Sequence, residues 1–148
     1  MAVLPGVGTI VEVSSSLPAA ETETGYEALS DFVEVGEISS LPEHGPASNL
    51  VTFVDLKTGA ERKTFGSTNY GSMTIPVGYD PDDAGQAILR TANEARTSIS
   101  VKVTYSDGEI AYYPAIVLSF TRQAVSDQVL GGNIQLEFSG RPVTIAPE

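Results

Sequence analysis

The chain has 148 residues, no cysteine, and 19 acidic against 8 basic side chains, for a formal net charge of −11. That length is one domain, able to bury roughly 68–70% of its unfolded surface and so to build a core without staples. The missing cysteines exclude disulfides, thiolate nucleophiles and cysteine-based zinc sites, and the shortage of cations argues against a protein that grips nucleic acid through counterion release.

In chain order, the opening MAVLPGVGTIVEVSSS lacks the basic and continuously apolar regions of a secretory signal. No apolar run approaches the ~20 residues that span a bilayer, so the expectation is a soluble protein made in the cytoplasm, with no membrane partner. PGVG has neither the strand-to-helix context nor the lysine of a phosphate loop. It reads as part of an N-terminal arm, about residues 1–8. GTIVEV and DFVEVGEI are strand-like. Nine carboxylates and no Lys or Arg precede residue 57, so this third of the chain is purely acidic.

A long connection follows, from about residue 39 to 68. Loops of that length are uncommon in compact domains unless they are functional or disordered. It contains NLVTFVDL, a possible strand or hairpin of its own, and is read as structured but projecting. Lys57, Arg62 and Lys63 fall within seven residues of it. His44, the single histidine, sits in LPEHGPAS and reads as a solvated loop residue, since triad chemistry needs a base held rigidly by its neighbours.

NYGSMTIPV then puts Met73, Ile75 and Val77 in alternating register. YDPDDAGQAILRTANEA predicts a helix over about 81–95, with Asp80 as N-cap, Pro81 at the first position, and Asp82 and Asp83 at the positive end of the dipole. Ala84, Ala87, Ile88, Thr91 and Ala95 would form the face resting on a sheet. The aspartates match the start of a calcium loop only as far as Gly85, because Ala84 and Thr91 stand where oxygen ligands are needed.

SISVKVTY alternates cleanly, with Ile99, Val101, Val103 and Tyr105 on one face. Asp107-Gly108 suits a tight hairpin turn. EIAYYPAIVLSF returns with Ile110, Tyr112, Ile116, Leu118 and Phe120 in one register, and Pro114 marks an edge or a bulge. NIQLEF alternates Ile134, Leu136 and Phe138, and PVTIA ends the chain as a strand or as part of a C-terminal arm, about 140–148. Tyr105, Tyr112 and Tyr113 read as core or interface residues, with a base- or sugar-stacking platform as the alternative. The residues thus give a single β-rich domain with one helix. No arrangement of nucleophile, base or ligands emerges, so no enzyme, metal or cofactor is expected.

The run NLVTFVDLKTGAERKTFGSTNYGSMTIPVGYDPDDAGQAIL resembles the central part of tail tube proteins from phages with long, non-contractile, lambda-like tails. The parallels are its NLVTF opening, its K-T-G…K-x-F-G stretch, its N-Y-G-S strand entry and its D-x-D-D-A-G-Q helix start. IVEVSSSLPAAETETGYEAL and DFVEVGEISSLPEHGP are similar too, so the resemblance covers most of the chain. It implies a mainly β fold of two packed antiparallel sheets with one flanking α-helix, a β-sandwich or partly closed barrel shared with type VI secretion tube proteins.

The resemblance further implies homohexameric rings stacked into the tube through which DNA passes at ejection without specific binding. Its implied partners are a tape-measure protein, a tail terminator and baseplate or tip proteins, and the implied location is the virion tail. No immunoglobulin-like domain is expected after GRPVTIAPE. By this analogy the long loop, with Lys57, Arg62, Lys63 and Phe65, would contact the acidic surface of the next ring. Glu34, Glu37 and Glu137 are candidates for an acidic lumen that repels the duplex. The competing readings are a monomeric β-sandwich that binds carbohydrate through exposed tyrosines, and a terminator or baseplate-proximal ring protein on the same fold.

Overall fold

The computed structural model describes residues 6–18, 20, 22–41, 44–124, 126–127 and 129–146. Most of the expected N-terminal arm and the last two residues of the C-terminal arm lie outside the described residues. Alternating hydrophobicity dictates the main sheet. Seven strands take part: β1 (Ile10–Ser14), β2 (Val33–Glu34), β5 (Ser72–Gly78), β6 (Ser98–Thr104), β7 (Ile110–Gln123), β8 (Gly131–Phe138) and β9 (Val143–Ile145). Their antiparallel order is β2-β1-β6-β7-β8-β5, with β9 beside the start of β7. The fold is mainly β with two antiparallel sheets, the second being a hairpin of β3 (Ala47–Val54) and β4 (Glu61–Asn69).

The large sheet curls until both of its edges reach one segment, residues 33–39. Val33 pairs with Val13 and Val35 N–H donates to Val11 O at 2.8 Å on the β1 side. On the β5 side Ile38 bridges Val77, Gly78 N–H donates to Glu37 O at 2.7 Å and Ser39 N–H to Pro76 O at 3.1 Å. The sheet is not a closed barrel, because the ladder breaks at Gly36. There the N–H turns to Asp83 Oδ2 at 3.2 Å.

Inside the curl Val11, Val13, Met73, Ile75, Val77, Ile99, Val101, Val103, Ile134, Leu136 and Phe138 are buried, as alternation predicts. Each contributes about 1.5–3 kcal/mol through apolar area removed from water. Helix α2 (Ala84–Ala95) covers this face and buries Gly85, Gln86, Leu89 and Ala92. Of the expected face, Ala84, Ala87, Ile88, Thr91 and Ala95, Ile88 packs against the core while Ala84, Thr91 and Ala95 are exposed, so the seam is rotated from the expected one. Asp80 is likewise not the N-cap. Asp83 is, its Oδ2 accepting from Gln86 N–H at 2.9 Å, while Asp80 Oδ1 closes the turn before the helix by accepting from Asp82 N–H at 2.9 Å.

β7 also departs from its expected register. Ala111, Tyr113, Ala115 and Val117 face the core, set by the pairs Val103↔Ala111 and Val101↔Tyr113. A bulge between Val117 and Ser119 then returns Phe120 to the core side opposite Ile134. Asn93 of α2 satisfies the bulge, its Nδ2 donating to Val117 O at 3.0 Å and Leu118 O at 3.2 Å. Tyr112 points to the other face and is buried there too. A short helix not expected from the sequence, α1 (Glu23–Glu27) capped by Thr22, stacks Tyr26 on it with ring centroids 4.9 Å apart. No helix among the described residues is long and apolar enough to cross a membrane.

Candidate assembly interface

Within the expected long loop, residues 47–69 are the β3–β4 hairpin, joined to the body at two glycines. Gly71 has φ +98°, and a Cβ there would collide with the Gly45 backbone, so two chain segments cross where only glycine fits. Beyond that crossing the hairpin packs on itself, without a comparable contact to the main sheet or helices. Eight residues of strand carry it about 26 Å outward.

Strand alternation decides what each hairpin face presents. Leu50 pairs with Phe65, Thr52 with Lys63 and Val54 with Glu61, so these residues share one face. Val51 with Thr64 and Phe53 with Arg62 share the other. Leu50 (64% exposed), Phe53 (64%), Val54 (62%) and Phe65 (84%) remain in solvent, and Leu56 at the tip is 98% exposed. A two-stranded hairpin is marginally stable alone in water, and apolar area on both faces marks a binding element.

The three expected cations are not gathered. Lys57 is at the tip, Lys63 is on the Leu50 face, and Arg62 is on the opposite face, ion-paired with Asp55 at 3.7 Å. With Glu61 the hairpin carries a single net positive charge. Its exposed apolar side chains are a larger source of contact energy than its charges, because exposed ion pairs contribute only ~0–1 kcal/mol.

The candidate acidic residues divide. Glu34 pairs across β1 with Glu12, which pairs with Lys102. Along β6 that face continues to Ser98, which pairs across to Ile116 and Glu137. Glu34 and Glu137 therefore share the sheet face away from the core and α2. Glu37 does not join them, since it lies between the sheet edges with φ 62°. Glu12 belongs to this face and escaped sequence reasoning, although the alternation of Val11 and Val13 already put it opposite the core. Burial, then the charges of Glu27, Glu12 and Glu23, pushes the Tyr112 hydroxyl above its usual range. Lys102 stands among those glutamates, its Nζ 6.0 Å from the Tyr112 ring centroid.

His44 is not a solvated loop residue. Its Nε2 lies 3.0 Å from the Tyr105 hydroxyl, and its ring meets Tyr113 edge-on at 5.7 Å. Tyr113 stacks on Phe138 at 4.5 Å. With Tyr112 and Tyr113 both buried, the stacking platform imagined for a carbohydrate-binding module does not exist. Among the described residues no cluster of three or more His, Cys, Asp or Glu side chains is placed to hold a metal.

The family model described as phage tail tube protein, TTP, matches residues 6–147. No curated protein matches by sequence. Among solved structures, a chain of the virion of a native gene transfer agent particle superposes with TM-score 0.72 at 11% identity, covering 97% of this chain and 100% of that one. The SPP1 tail tube gives TM-score 0.68 at 16% identity, covering 95% and 78%. The sheath–tube complex of PVC, an extracellular contractile injection system, gives 0.65 at 16%, covering 97% and 91%.

Proposed function

Because the chain belongs to the phage tail tube protein family, a structural and non-enzymatic component of the virion tail, we propose that copies of it form rings that stack through the β3–β4 hairpin. The observation that carries this reading is a 23-residue segment whose apolar side chains are exposed on both faces in the isolated chain. Such a surface is costly in a monomer and is covered when the hairpin lies on the next ring. The similar structures include a gene transfer agent tail with C6 symmetry, the SPP1 tail tube, a tube-terminating cap and a six-fold baseplate, which supports hexameric symmetry and partners at both tube ends. A head-to-tail contact of this kind closes into rings when its rotation closes.

The Glu12, Glu34 and Glu137 face lines the lumen in this reading, with DNA passing at ejection and a tape-measure protein occupying the space beforehand. Carboxylates there deny the duplex any counterion-release gain. Leu50→Ser with Phe65→Ser tests the hairpin. Purified wild-type protein, concentrated and viewed by negative-stain electron microscopy, is expected to form hollow tubes of stacked rings. The double variant should give single rings or monomers with unchanged thermal midpoint. Tubes formed equally well by the variant would remove the hairpin from the stacking contact.

A further inference from the structure

Arg90 on α2 and Arg122 near the end of β7 converge on one aromatic ring. The guanidinium carbon of Arg122 lies 4.6 Å from the Tyr79 centroid and that of Arg90 5.5 Å. Arg90 Nη1 also donates to the Tyr79 hydroxyl at 2.9 Å, and Nη2 to Pro81 O at 3.3 Å. Phe120 meets the same ring edge-on, with centroids 6.1 Å apart, so the platform is held in place. The two guanidinium carbons are consequently within roughly 10 Å of each other, about one screening length at 0.1 M salt.

Two cations that close ordinarily attract a carboxylate, yet the one ion pair among the described residues is Arg62–Asp55. The nearby aspartates are directed elsewhere. Asp80 accepts from Asp82 N–H, and Asp83 accepts from Gly36 N–H and Gln86 N–H; Asp82 is exposed without an ion pair. Beside the platform stand Val129, 79% exposed, and Leu130, 43% exposed, tied to it by Tyr79 N–H donating to Leu130 O at 2.8 Å. Arginine and tyrosine next to unpartnered apolar residues are what buried interface centres are made of. The cluster sits at the C-terminal end of β5, whereas the hairpin leaves from its N-terminal end.

We infer that the Arg90–Tyr79–Arg122 cluster, with Val129 and Leu130, is a docking surface for a second copy of this chain, which presents a carboxylate from its cation-free first 56 residues. Charge complementarity selects that occupant. Glu23, Glu27 and Glu37, none of them among the lumen carboxylates, lie in that portion without an ion pair, and opposed potentials orient and register such contacts. The hairpin is a poorer occupant, since it brings a net positive charge. A nucleic acid is poorer still, because the rest of a chain of net charge −11 repels its phosphates. The inference rests on the tube reading, which supplies the contact between copies.

The test uses the full chain with Arg90→Lys and Arg122→Lys, which keep both charges and supply amines for zero-length carbodiimide coupling. Rings or tubes are grown from a mixture of 15N-labelled and unlabelled chains, coupled, and mapped by mass spectrometry. Mixed-isotope cross-links from position 90 or 122 to a carboxylate before the hairpin, in residues 1–46, absent from unassembled protein, are expected. Cross-links only to Asp80 or Asp82 of the same chain, only to Glu61, or to no carboxylate at all would overturn the inference while leaving the tubes standing. Failure of the wild type to assemble overturns the tube reading and this inference with it.

Should the lysine pair assemble poorly, Arg122→Gln alone decides. At least a tenfold rise in the protein concentration needed for assembly, with an unchanged thermal midpoint, supports the contact, and no change refutes it. Retention of a short DNA duplex by the wild type and its loss in Arg122→Gln would reassign the surface to nucleic acid.

Discussion

At the scale of single residues, the run D-D-A-G-Q at the start of α2 closes the fold. Gln86 is fully buried and uses its whole amide: Nε2 donates to Gly36 O at 3.1 Å and Gly78 O at 3.0 Å, and Oε1 accepts from Asp80 N–H at 3.1 Å. One side chain thus ties together the segment between the sheet edges, the end of β5 and the turn before the helix. Gln86→Leu leaves three backbone groups without partners, each loss costing about 1–3 kcal/mol. A destabilisation of about 3 kcal/mol or more is expected from urea unfolding. Gly85 supports the same junction, because a Cβ there would meet the Glu34 carbonyl and come within 2.7 Å of Val35 Cα. Gly→Ala within a helix ordinarily gains about 1 kcal/mol. Here the sign reverses: Gly85→Ala should cost about 1–3 kcal/mol through overpacking against backbone, read as a lower thermal midpoint.

Among the elements, those with one wet and one dry face were legible in the sequence. Met73, Ile75 and Val77, and again Ile134, Leu136 and Phe138, alternate because one side of their strands meets the core and the other meets water. β7 misled because both of its sides are covered near Tyr112 and Tyr113, the core on one and α1 on the other, so hydrophobicity no longer distinguishes them. Its bulge shifts the register again at a point that no residue type announces. The helix start slipped by three residues because three aspartates crowd four positions and each is a competent cap; the choice fell to the one that also reaches Gly36.

The hairpin was legible only in part, from NLVTFVDL, and for the opposite reason. Both of its faces are wet in the isolated chain, so its apolar residues follow neither period. Once it is a strand, neighbours such as Arg62 and Lys63 must point opposite ways, which a linear cluster of charge conceals. Reversal of Lys57 and Lys63 to Glu is accordingly expected to shift the salt dependence of stacking and leave tubes intact, by electron microscopy across a salt series. Loss of tubes at every salt concentration would return charge to the leading role.

For the molecule as a whole, alkaline stability should reflect how completely the tyrosines are enclosed. Burial first, and then the neighbouring Tyr105, holds the Tyr113 hydroxyl above the ordinary tyrosine value near 10. The folded state therefore binds this proton more tightly than the unfolded chain does. Its contribution is complete below pH 10 and is lost as pH climbs above it. Tyr112 moves in the same direction. Denaturation midpoints are expected to be level between about pH 8 and 9.5 and to fall beyond pH 10; Tyr113→Phe should flatten that fall when compared with wild type over the same range.

The glycine crossing at the base of the hairpin has a mechanical consequence for any filament built from this subunit. Each body is braced across its own sheet by Gln86 and Asp83, whereas beyond the Gly45–Gly71 crossing, which Phe138 N–H pins by donating to Gly71 O at 2.9 Å, the hairpin has no comparable contact with its own body. Compliance is then concentrated in the joints and rigidity in the rings. A filament so made bends as a chain of stiff washers on soft couplings, so that curvature is taken up between rings while the bore of each keeps its circular section.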